Sequence, residues 1–302
     1  MRHLLLVALA LVGSLRPAAA QPVPGIAIAG APEIVFSARR DGCEGIDTPD
    51  APLRAYRDAA GRVVLFGLHY ENRALRGDAL ERVRIDCRVV LGSAGRGDPA
   101  AYDDKSWITA TWTDDGRNVH ALVHHEFQAN RHPGRCRFPA YMPCWYNTVL
   151  GVASSDGGAT FVRPSAPRVV AAAPFPQEVG QGRHRGFFNP SNIVSDGRWR
   201  YVFVATTGWD GQPYGACLLR TDDPADPTSW RAFDGRGFTI RYGDPYREKA
   251  LKPAACKPIA PFPAPVGAVV RHRGTGLWVA VFQAWADGAA FPQPGFYVAA
   301  SR

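Results

Sequence analysis

Four segments of the chain share an alternation of apolar and polar positions that is typical of paired β-strands. In each, an alternating strand leads into a tight turn rich in Asp or Gly, and a second strand rich in Val, Phe and Trp follows. The four segments are 50–69, 105–126, 189–205 and 266–282. No stretch has a convincing helical periodicity. The pattern therefore predicts an all-β domain.

Repetition of these segments predicts a β-propeller of four-stranded antiparallel blades. Third strands are expected at 147–153 and 215–221, and a fourth strand of the second blade at 161–162. The blades would then span approximately 50–100, 103–170, 186–242 and 256–302. A β-sandwich or an unrelated meander is the alternative.

The last of these units ends at its third strand. Because an open sheet edge promotes aggregation, we expect either an incomplete propeller or a closing strand supplied by 26–37.

The stretch from Ser154 to Phe161 reads Ser-Ser-Asp-Gly-Gly-Ala-Thr-Phe and predicts a tight hairpin. Asp156 can accept hydrogen bonds from its own turn, and Gly157 and Gly158 can adopt positive φ. We expect Phe161 to pack on a neighbouring sheet. An ordinary Asp-Gly hairpin turn is the alternative.

The amino terminus has the pattern of a secretory signal peptide. Arg2 precedes an apolar run over 4–12, and three alanines, 18–20, precede Gln21. The apolar run is shorter than the roughly 20 residues that span a bilayer. We therefore predict a signal peptide over 1–20, a single propeller domain over 21–302, no membrane span, and a secreted or periplasmic location.

Six cysteines form an even set, which in an oxidising compartment predicts disulfides. We expect pairing between neighbours in sequence: Cys43 with Cys87, Cys136 with Cys144, and Cys217 with Cys256. Neither C-x-x-C nor H-E-x-x-H spacing is present, so the sequence predicts no zinc site.

The chain has 35 Lys and Arg against 27 Asp and Glu, a formal net charge of +8. The cationic residues are dispersed, and no nucleic-acid-binding motif or basic helix is present. Nucleic acid is therefore not an expected partner, whereas a basic surface can steer an acidic glycan.

Strand direction alternates within a blade, so the entry to each first strand and the exit of each second strand share one face. Candidate binding residues collect there: Asp47, Asp50, Asp104, Asn189 and Lys257 at entries, and His69, His125, Glu126 and Trp209 at exits. The long exit loop 126–146 adds His132, Trp145 and Tyr146. Carboxylates, amides and aromatic rings together suit a carbohydrate ligand.

These motifs resemble the five-bladed propeller glycosidases of the arabinanase and xylosidase type, with an Asp box of sialidase type at 154–161. The resemblance is carried by 50–52 with the turn 58–61, by 154–161, and by 189–193 with 196–197. It implies a glycoside hydrolase acting on a glycan by carboxylate acid/base catalysis.

The resemblance implies Asp50 as the base, with Asp47 as a competitor, and Asp104 as a carboxylate that tunes pKa. The third blade begins with Asn189 where the family has a glutamate. We therefore expect Glu126 to act as the acid, with its pKa raised by burial or by neighbouring carboxylates.

Three alternatives stay open from the sequence. A sialidase-like exo-hydrolase would use Arg54, Arg185 and Tyr146. A metal could be held by His125, Glu126 and His132. A non-catalytic propeller could bind a glycan or a protein on the same face, with its aspartates only capping turns.

No cofactor is implied, although a structural calcium ion is possible, and we expect a monomer.

Overall fold

The computed structural model describes residues 27, 29–164, 166, 169–249, 251, 254–263, 265–288 and 290–302. The chain divides into two units, Met1–Pro32 and Glu33–Arg302. The signal peptide predicted over 1–20 lies outside the described residues. All the helices and strands of the described residues lie in Glu33–Arg302.

The regular secondary structure of this unit is almost entirely β-strand. They are β1 (Arg54–Arg57), β2 (Val63–Phe66), β3 (Asn72–Gly77), β4 (Arg84–Leu91), β5 (Lys105–Trp112), β6 (Val119–Gln128), β7 (Trp145–Ser154), β8 (Val169–Ala171), β9 (Arg185–Phe188), β10 (Val194–Ser195), β11 (Arg200–Thr206), β12 (Gly215–Thr221), β13 (Arg231–Phe233), β14 (Phe238–Ile240), β15 (Val266–Arg271), β16 (Trp278–Ala284) and β17 (Gly295–Ser301). The helices are short: α1 (Ala38–Asp41) and 3-10 turns at Leu80–Arg82, Pro99–Ala101, Ala129–Arg131, Met142–Cys144 and Pro227–Ser229. The prediction of an all-β chain is confirmed.

The strands form three hydrogen-bonded sheets. The first has the order β1-β2-β3-β4, and the last has the order β15-β16-β17. Between them, β5 to β14 form a ten-stranded sheet, in which β9 pairs with β11 on one side and with β7 on the other. The β7–β9 pair is parallel, whereas the other pairs are antiparallel. The number of blades and the closure of a ring stay predictions.

Strand positions agree with the sequence pattern where alternation is clear and depart from it elsewhere. β5 and β12 lie where strands were predicted, at 105–112 and 215–221. The fourth strand beside β7 is β8, whereas Val162 forms only an isolated bridge with Ala153. β9 was not predicted, and most of 189–194 is not strand. No strand occurs at residue 27 or over 29–37, so the described part of 26–37 supplies no closing strand.

One buried arginine connects β1, β5 and the segment that contains Pro190. Arg54 of β1 is 3% exposed. Its Nε donates to the Thr109 carbonyl of β5 at 2.5 Å, its Nη2 to the Pro190 carbonyl at 3.1 Å, and its Nη1 to the Leu53 carbonyl at 3.2 Å. Burial lowers the pKa of Arg54 to about 10, which leaves it charged at neutral pH.

Two asparagines make the same kind of connection between neighbouring sheets. Asn72 of β3 donates to the Ser106 carbonyl of β5 at 2.7 Å, and its Oδ1 accepts from the Ile108 N–H at 2.7 Å. Asn192 donates to the Val269 carbonyl of β15 and accepts from the same residue's N–H, at 2.8 and 2.7 Å. Because these backbone groups are paired in this way, the sheets meet in fixed register.

The 154–161 hairpin docks on the first sheet. Asp156 Oδ1 accepts from the N–H groups of Ala159 and Thr160, both at 2.9 Å. Burial raises the pKa of Asp156, but hydrogen bonds from Thr160 and Ser154 outweigh it and hold the pKa at about 2. Phe161 is buried and meets Phe66 of β2 edge to face at 5.7 Å.

All three predicted disulfides are present: Cys43–Cys87, Cys136–Cys144 and Cys217–Cys256. The first ties the segment before β1 to β4, and the last ties β12 to the segment before β15. The second closes the loop between β6 and β7.

Replacing Arg54 should destabilise the fold far more than replacing its exposed neighbour Arg57, which donates only to the Gly61 carbonyl in its own turn. Arg54→Met leaves buried carbonyls without donors, so we expect a loss of about 3 kcal/mol or more in the free energy of unfolding. Arg57→Met should change it by about 0.5 kcal/mol or less. Urea denaturation of the two variants checks this, and equal losses would contradict the central role of Arg54.

Candidate functional site

A cavity of about 720 Å³ opens where β5 begins and β6 ends. Alternate side chains of both strands face it, because successive residues of a strand point to opposite sides. Those from β5 are Lys105, Trp107 and Thr109, and those from β6 are His124, Glu126 and Gln128. In the antiparallel register Lys105 lies opposite Glu126, and Trp107 lies opposite His124.

Glu126 is a buried carboxylate with three hydrogen-bond partners. Its Oε2 accepts from Gln128 Nε2 at 2.8 Å and from the Tyr141 hydroxyl at 3.3 Å. Its Oε1 lies 3.2 Å from His124 Nε2. Burial acts to raise the pKa of Glu126, but His124, Gln128 and Tyr141 together lower it below its ordinary value. The raised pKa expected from the sequence is therefore not found.

Two asparagines hold His124 from opposite sides of its ring. Nδ1 lies 2.6 Å from Asn189 Oδ1, and Nε2 lies 2.7 Å from Asn147 Nδ2. Asn147 Oδ1 in turn contacts His184 Nε2. Asn189 has a left-handed backbone, with φ of 46°, which asparagine tolerates better than most residues. His124 is therefore fixed in orientation beside Glu126.

Asp50 is the second carboxylate of the cavity. Its Oδ2 accepts from Trp107 Nε1 at 3.0 Å and lies 3.4 Å from His69 Nε2. The Asp50 side chain is 47% exposed. It therefore combines a fixed position with access to a ligand.

Aromatic rings form two walls of the cavity. Tyr70 and Trp107 meet edge to face at 5.6 Å on one side. Tyr141 and Trp145 lie 4.7 Å apart on the other, and Trp145 stacks on His184 at 4.1 Å. The Cys136–Cys144 disulfide closes the loop that carries Tyr141. Such rings offer flat apolar faces to a sugar.

Five of the residues predicted from the sequence line this cavity: Asp50, His69, Glu126, Trp145 and Asn189.

Two predicted carboxylates lie outside it. Asp47 is buried and accepts from the N–H groups of Cys43 and Glu44 and from Arg73 Nη1, all at 2.8 Å. Asp104 is 5% exposed, accepts from the Gln128 N–H at 2.8 Å, and lies 3.1 Å from His132 Nε2. Both carboxylates satisfy local donors, so neither faces a ligand.

Three residues predicted to bind ligand point away from the cavity. His125 follows His124 on β6 and so faces the opposite side, where its ring meets Tyr102; burial lowers its pKa well below the ordinary value. His132 stacks on Phe127 at 5.1 Å. The Tyr146 hydroxyl is buried and donates to the Phe175 carbonyl at 2.6 Å. The metal set of His125, Glu126 and His132 is therefore not assembled.

The remaining predicted residues have structural roles or lie on the surface. Arg54 is committed to backbone carbonyls, as described above. Trp209 packs edge to face on Phe187 at 5.3 Å. Lys257 is exposed beside the turn at Gly235. Arg185 lies over the Phe175 ring, so the sialidase-like set of Arg54, Arg185 and Tyr146 does not converge either.

Several residues of the cavity are not among the predicted site residues: Tyr70, Lys105, Trp107, His124, Gln128, Arg131 and Tyr141. For β5 and β6, the alternation of side chains between the two faces of a strand could have identified these residues. Once Glu126 is placed at the cavity, a period of two selects His124 and Gln128 and excludes His125.

Among the described residues, no three or more His, Cys, Asp and Glu side chains converge as metal ligands. Within the same part of the chain, no helix is long and apolar enough to cross a membrane.

No protein-family model and no curated protein matches the sequence. Among solved structures, the chain is similar to an endo-1,4-beta-xylanase from Bacteroides thetaiotaomicron, with 13% identity, a TM-score of 0.46, and coverage of 82% of this chain and 69% of that one. It is also similar to an exo-1,5-alpha-L-arabinanase from a bovine ruminal metagenomic library, with 11% identity, a TM-score of 0.34, and coverage of 84% and 93%.

A third similar structure is a GH43 beta-xylosidase/alpha-arabinofuranosidase from a compost microbial metagenome, with 13% identity, a TM-score of 0.43, and coverage of 85% and 73%. At these identities and TM-scores, the likenesses assign no activity to this chain.

The histidine behind Trp145 should make stability depend on pH. Burial, and then the charge of His124, lowers the pKa of His184 from 6.5 to about 4. Between pH 6.5 and pH 4, the unfolded chain therefore binds more protons than the folded chain. The contribution of His184 to the free energy of unfolding is fully present above pH 6.5 and is lost as the pH falls to 4. Over this pH range, the free energy of unfolding of His184→Gln should fall by about 3 kcal/mol less than that of the wild type.

Urea denaturation of both proteins at pH 7 and pH 4 measures this difference. Because other groups titrate equally in both proteins, only the difference between their pH dependences counts. Parallel pH dependences would show that His184 is not held neutral.

Proposed function

We propose that this protein is a glycoside hydrolase that cleaves a glycan in the 720 Å³ cavity. The observation that carries the proposal is the convergence of two carboxylates, Asp50 and Glu126, in one cavity with aromatic walls. Glycoside hydrolysis commonly uses such a pair, one group assisting the leaving oxygen and the other acting at the anomeric carbon or on water.

Asp50 is assigned the base or nucleophile. Trp107 Nε1 and His69 Nε2 both contact its Oδ2, at 3.0 and 3.4 Å, while nearly half of its side chain stays exposed. A carboxylate in this setting can reach a sugar or an attacking water while its orientation is maintained.

The acid is assigned to Glu126 together with His124. A lowered pKa makes Glu126 alone a poor proton donor, but His124 Nε2 lies 3.2 Å from its Oε1. The proton to be transferred is assigned to the contact between these two atoms. This proton passes to the glycosidic oxygen as the bond between that oxygen and the anomeric carbon breaks. Water then adds its hydroxyl to the anomeric carbon, and its remaining proton returns to Glu126 and His124.

Binding is assigned to the aromatic walls and the amides. Tyr70, Trp107, Tyr141 and Trp145 can stack on sugar rings, while Gln128 and Asn189 can hydrogen-bond hydroxyl groups. The finer predictions of a sialidase-type Asp box at 154–161 and of five blades are kept as part of this proposal. A monomeric state and a secreted or periplasmic location also belong to this proposal. The three disulfides favour that location.

A second candidate is a glycan-binding protein without catalysis. The lowered pKa of Glu126 favours it, because an ionised carboxylate with three fixed partners accepts hydrogen bonds from hydroxyl groups but gives no proton. Both candidates use the same cavity, and they differ only in turnover.

Glu126→Gln should abolish most hydrolysis while glycan binding is retained. The amide keeps the size of the side chain but removes the shared proton, so we expect kcat to fall roughly 10²- to 10⁴-fold. The exposed Glu178→Gln is the matched control and should leave kcat unchanged. The measurement is turnover on a panel of aryl-glycosides and plant polysaccharides, with binding followed by calorimetry.

Unchanged turnover in Glu126→Gln would remove Glu126 from the reaction. Binding by the wild type with no turnover of any glycan in the panel would favour the second candidate.

A further inference from the structure

Two cationic side chains line the cavity, and the hydrolase proposal gives neither a role. Lys105 of β5 is 8% exposed, and its Nζ donates to Gln128 Oε1 at 2.5 Å. Nζ also lies 5.6 Å from the centre of the Tyr70 ring. Arg131 ends the 3-10 turn Ala129–Arg131 and is exposed at the same cavity.

In the described part of the chain, neither cation forms an ion pair with a carboxylate. Among the described residues, no ion pair within 4.0 Å joins Lys105 or Arg131 to an Asp or Glu. The Lys105 partner is the neutral amide of Gln128. Two cations that share a cavity and form no close ion pair are a suitable place for an anionic group of a ligand.

The two cations also act on each other. Burial lowers the pKa of Lys105, and the charge of Arg131 lowers it further, against the opposing charges of Asp104 and Glu126. An anion between the two side chains would relieve this repulsion. Like charges held together without such a partner are unfavourable.

We infer that the cavity takes an acidic glycan, and that Lys105 and Arg131 receive the carboxylate of a uronic acid residue. This inference rests on the proposed function, because it names the class of sugar that the hydrolase would cleave. Lys105 lies directly opposite Glu126 in the β5–β6 register. The charged sugar is therefore the one bound beside Glu126 and the scissile bond.

The positive net charge of the chain agrees with an anionic ligand. The formal net charge of +8, of which Arg2 and Arg16 of the predicted signal peptide contribute two, favours approach of a polyanion and raises its local concentration near the protein. General attraction of this kind depends on total charge, whereas recognition in the cavity depends on two particular side chains. The experiment separates the two effects.

Calorimetry with matched ligands tests the inference. Oligogalacturonate and oligoglucuronate are each compared with the same oligosaccharide after reduction of its carboxyl groups to alcohols. We expect the wild type to bind at least one acidic form about tenfold or more tightly than its reduced counterpart, the preference expected from one charge-assisted contact.

Arg131→Gln and Lys105→Gln should each reduce that preference severalfold. Arg273→Gln, in the exposed turn between β15 and β16, removes the same charge and should preserve the preference. Arg131 is exposed, so its variant keeps the test valid if Lys105→Gln fails to fold.

Several results would overturn the inference. These are equal binding of acidic and reduced forms, or equal losses in Arg131→Gln and Arg273→Gln. Tighter binding of a sulfated oligosaccharide than of both uronates would also overturn it, because the anionic group of the ligand would then be a sulfate ester and not a carboxylate.

Tight binding of a uronate without turnover would support the inference and overturn the hydrolase. Binding and turnover of neutral glycans alone would support the hydrolase and overturn the inference. If neither acidic nor neutral glycans bind, both the hydrolase and the inference are overturned.

Discussion

The cavity depends on the buried guanidinium of Arg54. A charged group with 3% exposure is costly unless each donor finds an acceptor. Arg54 reaches its acceptors only if β1, the Thr109 carbonyl of β5 and the Pro190 carbonyl come together. This side chain, together with Asn72, joins the first sheet to the ten-stranded sheet. It also holds the segment that begins at Asn189.

From this point a series of contacts leads to the candidate chemistry. Asn189 precedes Pro190, takes a left-handed conformation, and sets the ring of His124 through a 2.6 Å contact. His124 in turn lies 3.2 Å from Glu126. Because buried polar groups are costly when unpaired, each member of this network favours the position of the next. A residue with no contact to a ligand thus supports the geometry of the groups that would touch one.

Much of the strand content and all three disulfides could be predicted from the sequence. Alternating apolar residues specify β5, and cysteines near in sequence could pair without crossing. The parallel pair β7–β9 could not be predicted, because Arg185–Phe188 is short and its pairing depends on two distant strands. Asn189 was placed in the site because it stands where the family has a glutamate, but its contact with His124 depends on a fold that sequence alone does not report.

Individual site residues were harder to predict than the site itself. Asp50 and Asp104 both begin a strand-rich segment, yet Asp104 binds the Gln128 N–H while Asp50 faces the cavity. Aspartate serves equally well as a cap and as a catalytic group, so only tertiary contacts distinguish these roles. His125 was chosen over His124 for a related reason. Two adjacent histidines on one strand face opposite sides, and the choice between them requires the register.

A crystal structure of Glu126→Gln with a bound oligosaccharide tests the central claim most directly. The account predicts sugar density between Asp50 and residue 126, with a ring stacked on an aromatic wall and a glycosidic oxygen within hydrogen-bond distance of the residue 126 amide. A glycan bound elsewhere, with this cavity holding only water, would contradict it.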